Sequence, residues 1–432
     1  MTSLRKPRRG PEISKIATGM ALLTAFGLVL GACAPAAATE PTELPATQVP
    51  PATEPPQAQP TDTQAPEVRA VKIGVLNPTT GGLAFSGEQT NTGIQLYFDN
   101  HEIPGVEVEL VYADTAGDPQ QALEQARRLV DQEGVDFLMG LVNSAVAVPV
   151  AQYADEAEIP FLIVVAGARA ATGPDRSPYV FRTAMANGQQ DAPLGWYTAT
   201  ELGLTRAAIF AWDFLVGEER AGAFAEQFTA AGGTIVTEQK PPLGTTDYGP
   251  FISQVDPDAV DVVYAFFAGP GALGFLQQMS EFALLPDLQV TASGYFTAGV
   301  LAGMGQNALG LVQGTQYVPA LDNPENQTFL QLYQAEVGGQ PGVYEAEGYL
   351  GAEVAARAIQ AVGGDLSDPQ AFLNALASLQ FDGPAGPFRF GDDGQSVRNV
   401  YITRVVEGDD GLVTQEVINV IEGVSLDWTP PE

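Results

Sequence analysis

From Val71 onward the chain alternates short apolar runs with longer amphipathic stretches. Val71, Ile73, Val75 and Leu76 form a run of strand type. The Gly-, Thr- and Pro-rich stretch Asn77–Gly87 reads as a loop, and a helix is expected from about Glu88 to Asn100, with Ile94, Leu96, Tyr97 and Phe98 on its apolar side. The pattern then predicts strands at Val106–Tyr112, Val135–Leu141 and Phe161–Val165, separated by helices at Pro119–Glu133 and Ala145–Glu158. A second series follows Tyr179–Arg182. It has helices at Asp191–Leu202, Gly217–Ala231, Tyr248–Val255, Gly271–Phe282 and Thr297–Met304, and strands at Ala207–Phe210, Thr234–Glu238, Val260–Phe267 and Gln289–Ser293. Gln313–Val318 reads as a connecting strand. Helices at Glu325–Val337, Glu345–Val362 and Pro369–Leu379 come next, and late strands at Val400–Val406 and Val417–Ile421 close the pattern. Alternation of this kind implies parallel sheets covered by helices, an α/β fold. In open α/β sheets ligands bind at loops beyond the carboxyl ends of strands, so the Asn77–Gly87 loop and its aromatic Phe85 read as one wall of a cleft.

The first residues follow a different pattern. Arg5, Lys6, Arg8, Arg9 and Lys15 make a basic start, and the uncharged apolar run Ile16–Leu30 is too short to span a bilayer. Residues 1–32 therefore read as an export signal. The run ends Leu30-Gly31-Ala32-Cys33, which resembles the lipobox of bacterial lipoproteins and implies that Cys33 becomes a lipidated N-terminus. Ordinary cleavage after Ala32 would leave Cys33 a spare thiol. Residues 33–66 are rich in Pro and Thr and poor in large apolar side chains, so they are expected to be a disordered, extended tether.

Composition narrows the chemistry. The 432 residues are 45% hydrophobic, enough for two cores, and carry 19 basic against 52 acidic residues, a net charge of −33. That balance argues against nucleic acid and against anionic lipid surfaces. With Cys33 the one cysteine and His101 the one histidine, an internal disulfide and a His- or Cys-rich metal site are both excluded. His101 reads as an exposed helix-end residue and Asp118 as the cap of the helix at Pro119. The stretch NPTTGGLAFSG lacks both the G-x-G-x-x-G pattern and a Lys-Ser/Thr ending, so no nucleotide cofactor is expected. Neither a nucleophile–base pair nor a dinucleotide fingerprint stands out, and no catalytic residue is assigned.

Several stretches, in order and after a lipobox, carry a resemblance: VKIGVLNPTTGGLAFSGEQTNTGIQLYFDN, ADTAGDPQQALEQARRLVDQEGVDFLMG, SPYVFRTA, AGGTIVTEQKPPLGTTDYGPFISQV and FFAGPGALGFLQQMSEFALL. Residues 67–428 resemble the extracellular solute-binding proteins of branched-chain amino acid ABC transporters, most of all the group handling amino acids, amides and aromatic acids. The resemblance implies a type 1 periplasmic-binding-protein fold. Two doubly wound Rossmann-like lobes, 67–183 plus 319–390 and 184–318 plus 391–428, are joined by three crossover strands near Arg182, Val318 and Phe390, and they close around a small ligand. It also implies site residues. Ser144, beside Asn143 at a helix N-cap, matches a hydroxyl that holds the ligand's carboxylate, and it reads equally as a cap alone. Val165, Ala166 and Gly167 match a loop whose backbone groups meet the ligand's carboxylate and amine, with Arg169 adjacent. Phe85 matches an aromatic packed on the ligand's side chain, or else packs under its own loop. In the second lobe Trp212 and Phe214 match aromatics that cover the ligand, Trp212 reading nearly as well as core. Phe267 and Gly269 precede a helix start, and Tyr295 follows the last strand of that lobe.

One departure stands out. Amino-acid binders of the family place a carboxylate near the position of Gly294–Tyr295 to pair the ligand's ammonium, and this chain has none there. That raises a non-amino ligand, an aromatic or aliphatic carboxylate or an amide, unless Asp213 turns inward to take the missing carboxylate's place. The expected protein is a monomeric, lipid-anchored receptor on the extracellular or periplasmic face of the membrane, capturing a branched-chain amino acid, aromatic acid or amide between its lobes by hinge closure and handing it to ABC permease subunits. A sensory receptor of the same fold is the alternative.

Overall fold

The computed structural model describes residues 68–431. The export signal, Cys33 and the Pro/Thr tether expected from the sequence lie outside the described residues.

The first lobe is built from β1 (Arg69–Asn77), α1 (Ala84–Asn100), β2 (Val106–Asp114), α2 (Pro119–Asp131), β3 (Phe137–Gly140), α3 (Ser144–Glu156), β4 (Phe161–Ile163) and β5 (Val180–Arg182). Its five strands are all parallel, in the order β2-β1-β3-β4-β5. The order reverses beside β1, which puts a crevice above its carboxyl end.

The chain then builds the second lobe: α4 (Asp191–Thr200), β6 (Arg206–Ala211), α5 (Leu215–Ala230), β7 (Thr234–Gln239), α6 (Gly249–Ile252), β8 (Val262–Phe266), α7 (Pro270–Glu281), β9 (Gln289–Ser293), α8 (Leu301–Met304) and β10 (Val312–Thr315). Next come α9 (Pro324–Glu336), α10 (Val343–Ala361), α11 (Pro369–Ala377), β11 (Gln380–Gly383), β12 (Gly386–Phe390), β13 (Ser396–Glu407) and β14 (Val413–Val424). The nine-stranded second sheet runs β11-β12-β13-β10-β9-β8-β6-β7, parallel from β10 to β7, with β14 antiparallel to β13. The ribbon of β11 and β12 joins this sheet through β13. Its Phe388 and Phe390 nevertheless belong to the core of the first lobe.

Both sheets are covered on two faces, so their strands are buried runs rather than alternating ones. In the first lobe α1, α9, α10 and α11 supply one core, and α2 and α3 supply the other through Ala122, Leu129, Val146 and Val150. Helix α10 lies along α1 at very short range. A Cβ on Gly93 would sit 2.0 Å from the Glu345 carbonyl oxygen, and one on Gly348 would sit 2.1 Å from that of Thr90. The glycines let the two backbones touch.

Two expectations change. Helix α1 begins at Ala84 rather than near Glu88, because Gly87 packs its backbone against Pro78, where a Cβ would lie 1.8 Å from the carbonyl oxygen. Phe85 therefore stands in the first turn of a helix, not in a loop. His101 is not simply exposed: its ring stacks on Tyr97 at 4.3 Å, and its Nδ1 lies 3.0 Å from the Tyr97 carbonyl.

Candidate ligand site between the lobes

The first-lobe wall starts from Asp114 at the end of β2. Its carboxylate accepts from Thr79 N–H (2.8 Å), Ala116 N–H (2.8 Å) and the Thr80 hydroxyl (2.6 Å). This pins the loop that feeds α1 and so aims Phe85 and Ser86. Phe85 stays half exposed, and its ring lies over the second lobe, where a Cβ on Gly299 would come within 2.9 Å of it. Tyr344, in the first turn of α10, faces the second lobe too, its ring 5.4 Å from that of Tyr295. Burial raises the Tyr344 phenol, while a hydrogen bond with Ser86 and the charge of Arg220 hold it back.

Asn143 caps α3 through its side chain, accepting from Ala145 N–H at 3.1 Å. Ser144 is buried, and its hydroxyl oxygen accepts from Gly167 N–H (3.1 Å) and from Asn187 Nδ2 (3.2 Å). The N–H groups of Val165 and Ala166 both donate to the Leu141 carbonyl, at 3.2 and 2.8 Å. The structure thus brings Ser144, Val165, Ala166 and Gly167 together, but their loop N–H groups are already spent inside the protein. What the Ser144 hydroxyl retains is its single proton. Arg169 meets an acid from the other lobe through its backbone: its N–H donates to Glu219 Oε1 of α5 at 3.4 Å, while Asn187 Nδ2 donates to Glu219 Oε2 at 2.7 Å.

The second-lobe wall is aromatic. Trp212, half-buried at the end of β6, packs edge-on against Phe267 at 5.4 Å, and Phe214 stacks on Phe266 at 6.3 Å. Phe267 is fully buried with Tyr248 and Phe275 and serves the lobe's own core. Gly269 takes a positive φ of 53° just before α7, a conformation suited to glycine. Tyr295 is buried, and its hydroxyl accepts from Gln316 Nε2 at 2.7 Å. Gly294 has no room for a side chain, since a Cβ would lie 2.4 Å from Thr315 Oγ1.

Between Phe266 and Tyr295 lies a guanidinium that the sequence reading missed. Arg220 is buried, with its guanidinium carbon 5.3 Å from the Phe266 ring and 5.0 Å from the Tyr295 ring. Its Nη1 donates to Asp191 Oδ2 (2.9 Å) and to Ser293 Oγ (3.0 Å). In sequence Glu218-Glu219-Arg220 reads as a charged, solvated helix face, which hides both Glu219 and Arg220. Ser86, Phe266 and Tyr344 were missed as well, and only the apolar neighbours of Phe266 and Tyr344 hinted at them.

Behind the site the crossovers share a polar network. Arg182, fully buried, donates through Nε to Gln395 Oε1 (2.6 Å), through Nη1 to the Ala168 carbonyl (2.6 Å) and through Nη2 to the Thr172 hydroxyl. Burial lowers its pKa to about 9. Arg398 of β13 pairs with Glu347 of α10 at 2.8 Å and also donates to the carbonyls of Thr183 and Gln316. Burial pushes the Glu347 carboxyl up, against the pull of Arg398. Among the described residues no His, Cys, Asp and Glu group is arranged to hold a metal ion.

Two α/β lobes that meet along an aromatic seam backed by polar crossovers fit a solute-binding protein, and the comparisons bear on the same class. The chain belongs to the periplasmic binding protein family, whose description matches residues 70–411, and to its members that serve ABC transporters as substrate-binding proteins. It is similar to an ABC transporter substrate-binding protein from Sphaerobacter thermophilus, with 36% identity, 82% of this chain and 98% of that one covered, and a TM-score of 0.79. It is similar to a Rhodopseudomonas palustris solute-binding protein solved in complex with benzoate, with 30% identity, 83% and 98% covered, and a TM-score of 0.76. A curated relative, Leu/Ile/Val-binding protein homolog 6 of Brucella melitensis, is 29% identical, covering 82% of this chain and 92% of its own length. These relatives are binding proteins, not enzymes.

Proposed function

We propose that this protein is the lipid-anchored, extracellular receptor of an ABC importer. It captures a small non-amino carboxylate, an aromatic acid foremost, and presents it to permease subunits by closing its lobes, 67–183 plus 319–390 and 184–318 plus 391–428, about the crossovers. The proposed site keeps Phe85, Asn143, Ser144, Val165, Ala166, Gly167, Trp212, Phe214, Gly269 and Tyr295, with Phe267 behind the wall. The observation that carries the reading is Gly294. An amino-acid binder needs a carboxylate there for the ligand's ammonium, and the Thr315 side chain fills the space that any Cβ would need. The flat walls of Phe214, Phe266 and Tyr295 suit an aromatic ring. The benzoate-bound relative supports the same class. The lipid anchor rests on the Leu30–Cys33 pattern alone.

The test is a thermal-shift screen of residues 67–432 with benzoate, 4-hydroxybenzoate, short aliphatic acids, amides and the branched-chain amino acids. A ligand at a hundred times its Kd adds roughly 2.7 kcal/mol of stability, which reads as a raised midpoint. A rise with aromatic acids but not with leucine, isoleucine or valine is expected. A rise with leucine, as the name of the Brucella relative suggests, would mean that another group pairs the ammonium and that the non-amino reading is wrong.

A further inference from the structure

Arg220 is more than the partner of Asp191. The guanidinium is held from one side only. Nη1 carries the bonds to Asp191 and Ser293, and with the Gln190 amide turned to satisfy both its ends, Gln190 accepts from Nη1 as well, at 2.9 Å. Asp191 is itself fully buried and takes a second bond from the Tyr264 hydroxyl at 2.8 Å, so the acid that orients Arg220 is fixed. The opposite edge is bare. Nε is buried and has no hydrogen-bond partner, and Nη2 has none among the described residues. Those two nitrogens present parallel N–H groups at the spacing of the two oxygens of a carboxylate. A buried donor left unpaired costs free energy, and native structures rarely keep one without a use. The surroundings fit an anionic ring compound. The guanidinium lies between Phe266 and Tyr295 at the carboxyl ends of β8 and β9, and its charge reaches Tyr344 across the cleft.

We infer that the Nε/Nη2 edge of Arg220 is the second-lobe anchor for the ligand's carboxylate, oriented by Asp191 and Ser293. This rests on the carboxylate reading above and assigns the charge recognition to a residue of α5. It fits the spent N–H groups of the Val165–Gly167 loop, which leave the anion in need of another donor set. A purely structural Arg220 would need only its charge beside Asp191, which a lysine also supplies.

The experiment compares the parent with Arg220→Lys, using calorimetric titration with benzoate and with uncharged benzamide. Loss of a charge-assisted pair of bonds is expected to weaken benzoate binding by about tenfold to a hundredfold while benzamide changes little. Benzoate binding by Arg220→Lys at the parent's affinity overturns the assignment. Should the lysine variant fold poorly, the double variant Arg220→Gln/Asp191→Asn replaces the ion pair by a neutral one and is read the same way. If the parent binds neither benzoate, 4-hydroxybenzoate nor butyrate, the carboxylate reading itself fails and this assignment falls with it. Parental binding with an unaffected variant sinks the assignment alone.

Discussion

Asp114 sets the geometry of the first wall through four hydrogen bonds, and its titration follows from them. Partial burial pushes its carboxyl up, but the Thr80 hydroxyl and the N–H groups of Thr79, Ala116 and Thr80 outweigh burial and hold it at about 2, below the ordinary 3.8. A depressed folded-state pKa means that stability from this group is present above the unfolded value and is lost as pH falls through the folded one. The parent's melting temperature is therefore expected to fall more steeply between about pH 4 and pH 2 than that of Asp114→Asn, measured by calorimetric scans across that range. Parallel curves would remove Asp114 from the acid response. Single residues also show what a sequence can disclose. Asp118 was legible as a cap because a polar side chain ahead of a helical pattern has one common use, and it caps as read; at the Asn143-Ser144 pair the cap is Asn143, and Ser144, read as the capping alternative, is instead the first residue of α3. Arg220 was not legible, because its role depends on Asp191, Ser293, Phe266 and Tyr295, which are remote from it in sequence or on other elements.

At the scale of elements, the α1–α10 contact depends on two glycines. A methyl group on Gly348 would meet the α1 backbone rather than a side chain that can swing away. Alanine is worth roughly 1 kcal/mol over glycine inside a helix, but overpacking of this kind costs about 1–3 kcal/mol or more. Gly348→Ala and Gly93→Ala are accordingly expected to lower stability in urea titrations, against their helix propensity. A gain in either would show that the helices part easily. The alternating α/β order was readable because buried parallel strands and amphipathic helices differ in length and period. The final hairpin came out longer than read, at Ser396–Glu407 and Val413–Val424, because strand pairing extends into polar ends that carry no apolar signal. The β11–β12 ribbon was hidden by Gly383, Pro384, Gly386 and Pro387, which read as breakers. Pro387 is tolerated because it precedes the part of β12 that pairs with β13. Helix α10 starts two residues early because the Glu345 carboxylate reaches back to Gly342 N–H at 2.9 Å.

Away from the crossovers, the contacts between the lobes include Phe85 on Gly299, Tyr344 on Tyr295, Ser144 on Asn187, and Glu219 on the Arg169 N–H. Glu219 is the charged one of these contacts. Glu219→Gln weakens its hydrogen bonds without changing its shape, so the ligand-free protein is expected to populate more open forms. Small-angle scattering should record this as a larger radius of gyration, and ligand affinity should fall by roughly the few-fold that a lost closing bias implies. An unchanged radius and affinity would make Glu219 a bystander. The buried pair of Arg398 and Glu347 lies between β13 and α10, and Arg182 with Gln395 ties β5 to the start of β13. The contacts at the crossovers are thus polar and the walls aromatic, a division invisible in one dimension because each crossover draws its partners from distant parts of the chain.

The placing of the indoles has an optical consequence. The chain has three tryptophans. Trp196 and Trp428 sit edge-on to each other at 6.3 Å. Trp212, half-buried, packs against Phe266 and Phe267 at the end of β6. If Trp212 lines the ligand site as proposed, a bound solute is expected to change the polarity around its indole more than around the other two. Indole emission is then expected to report the arrival of a solute without any added dye.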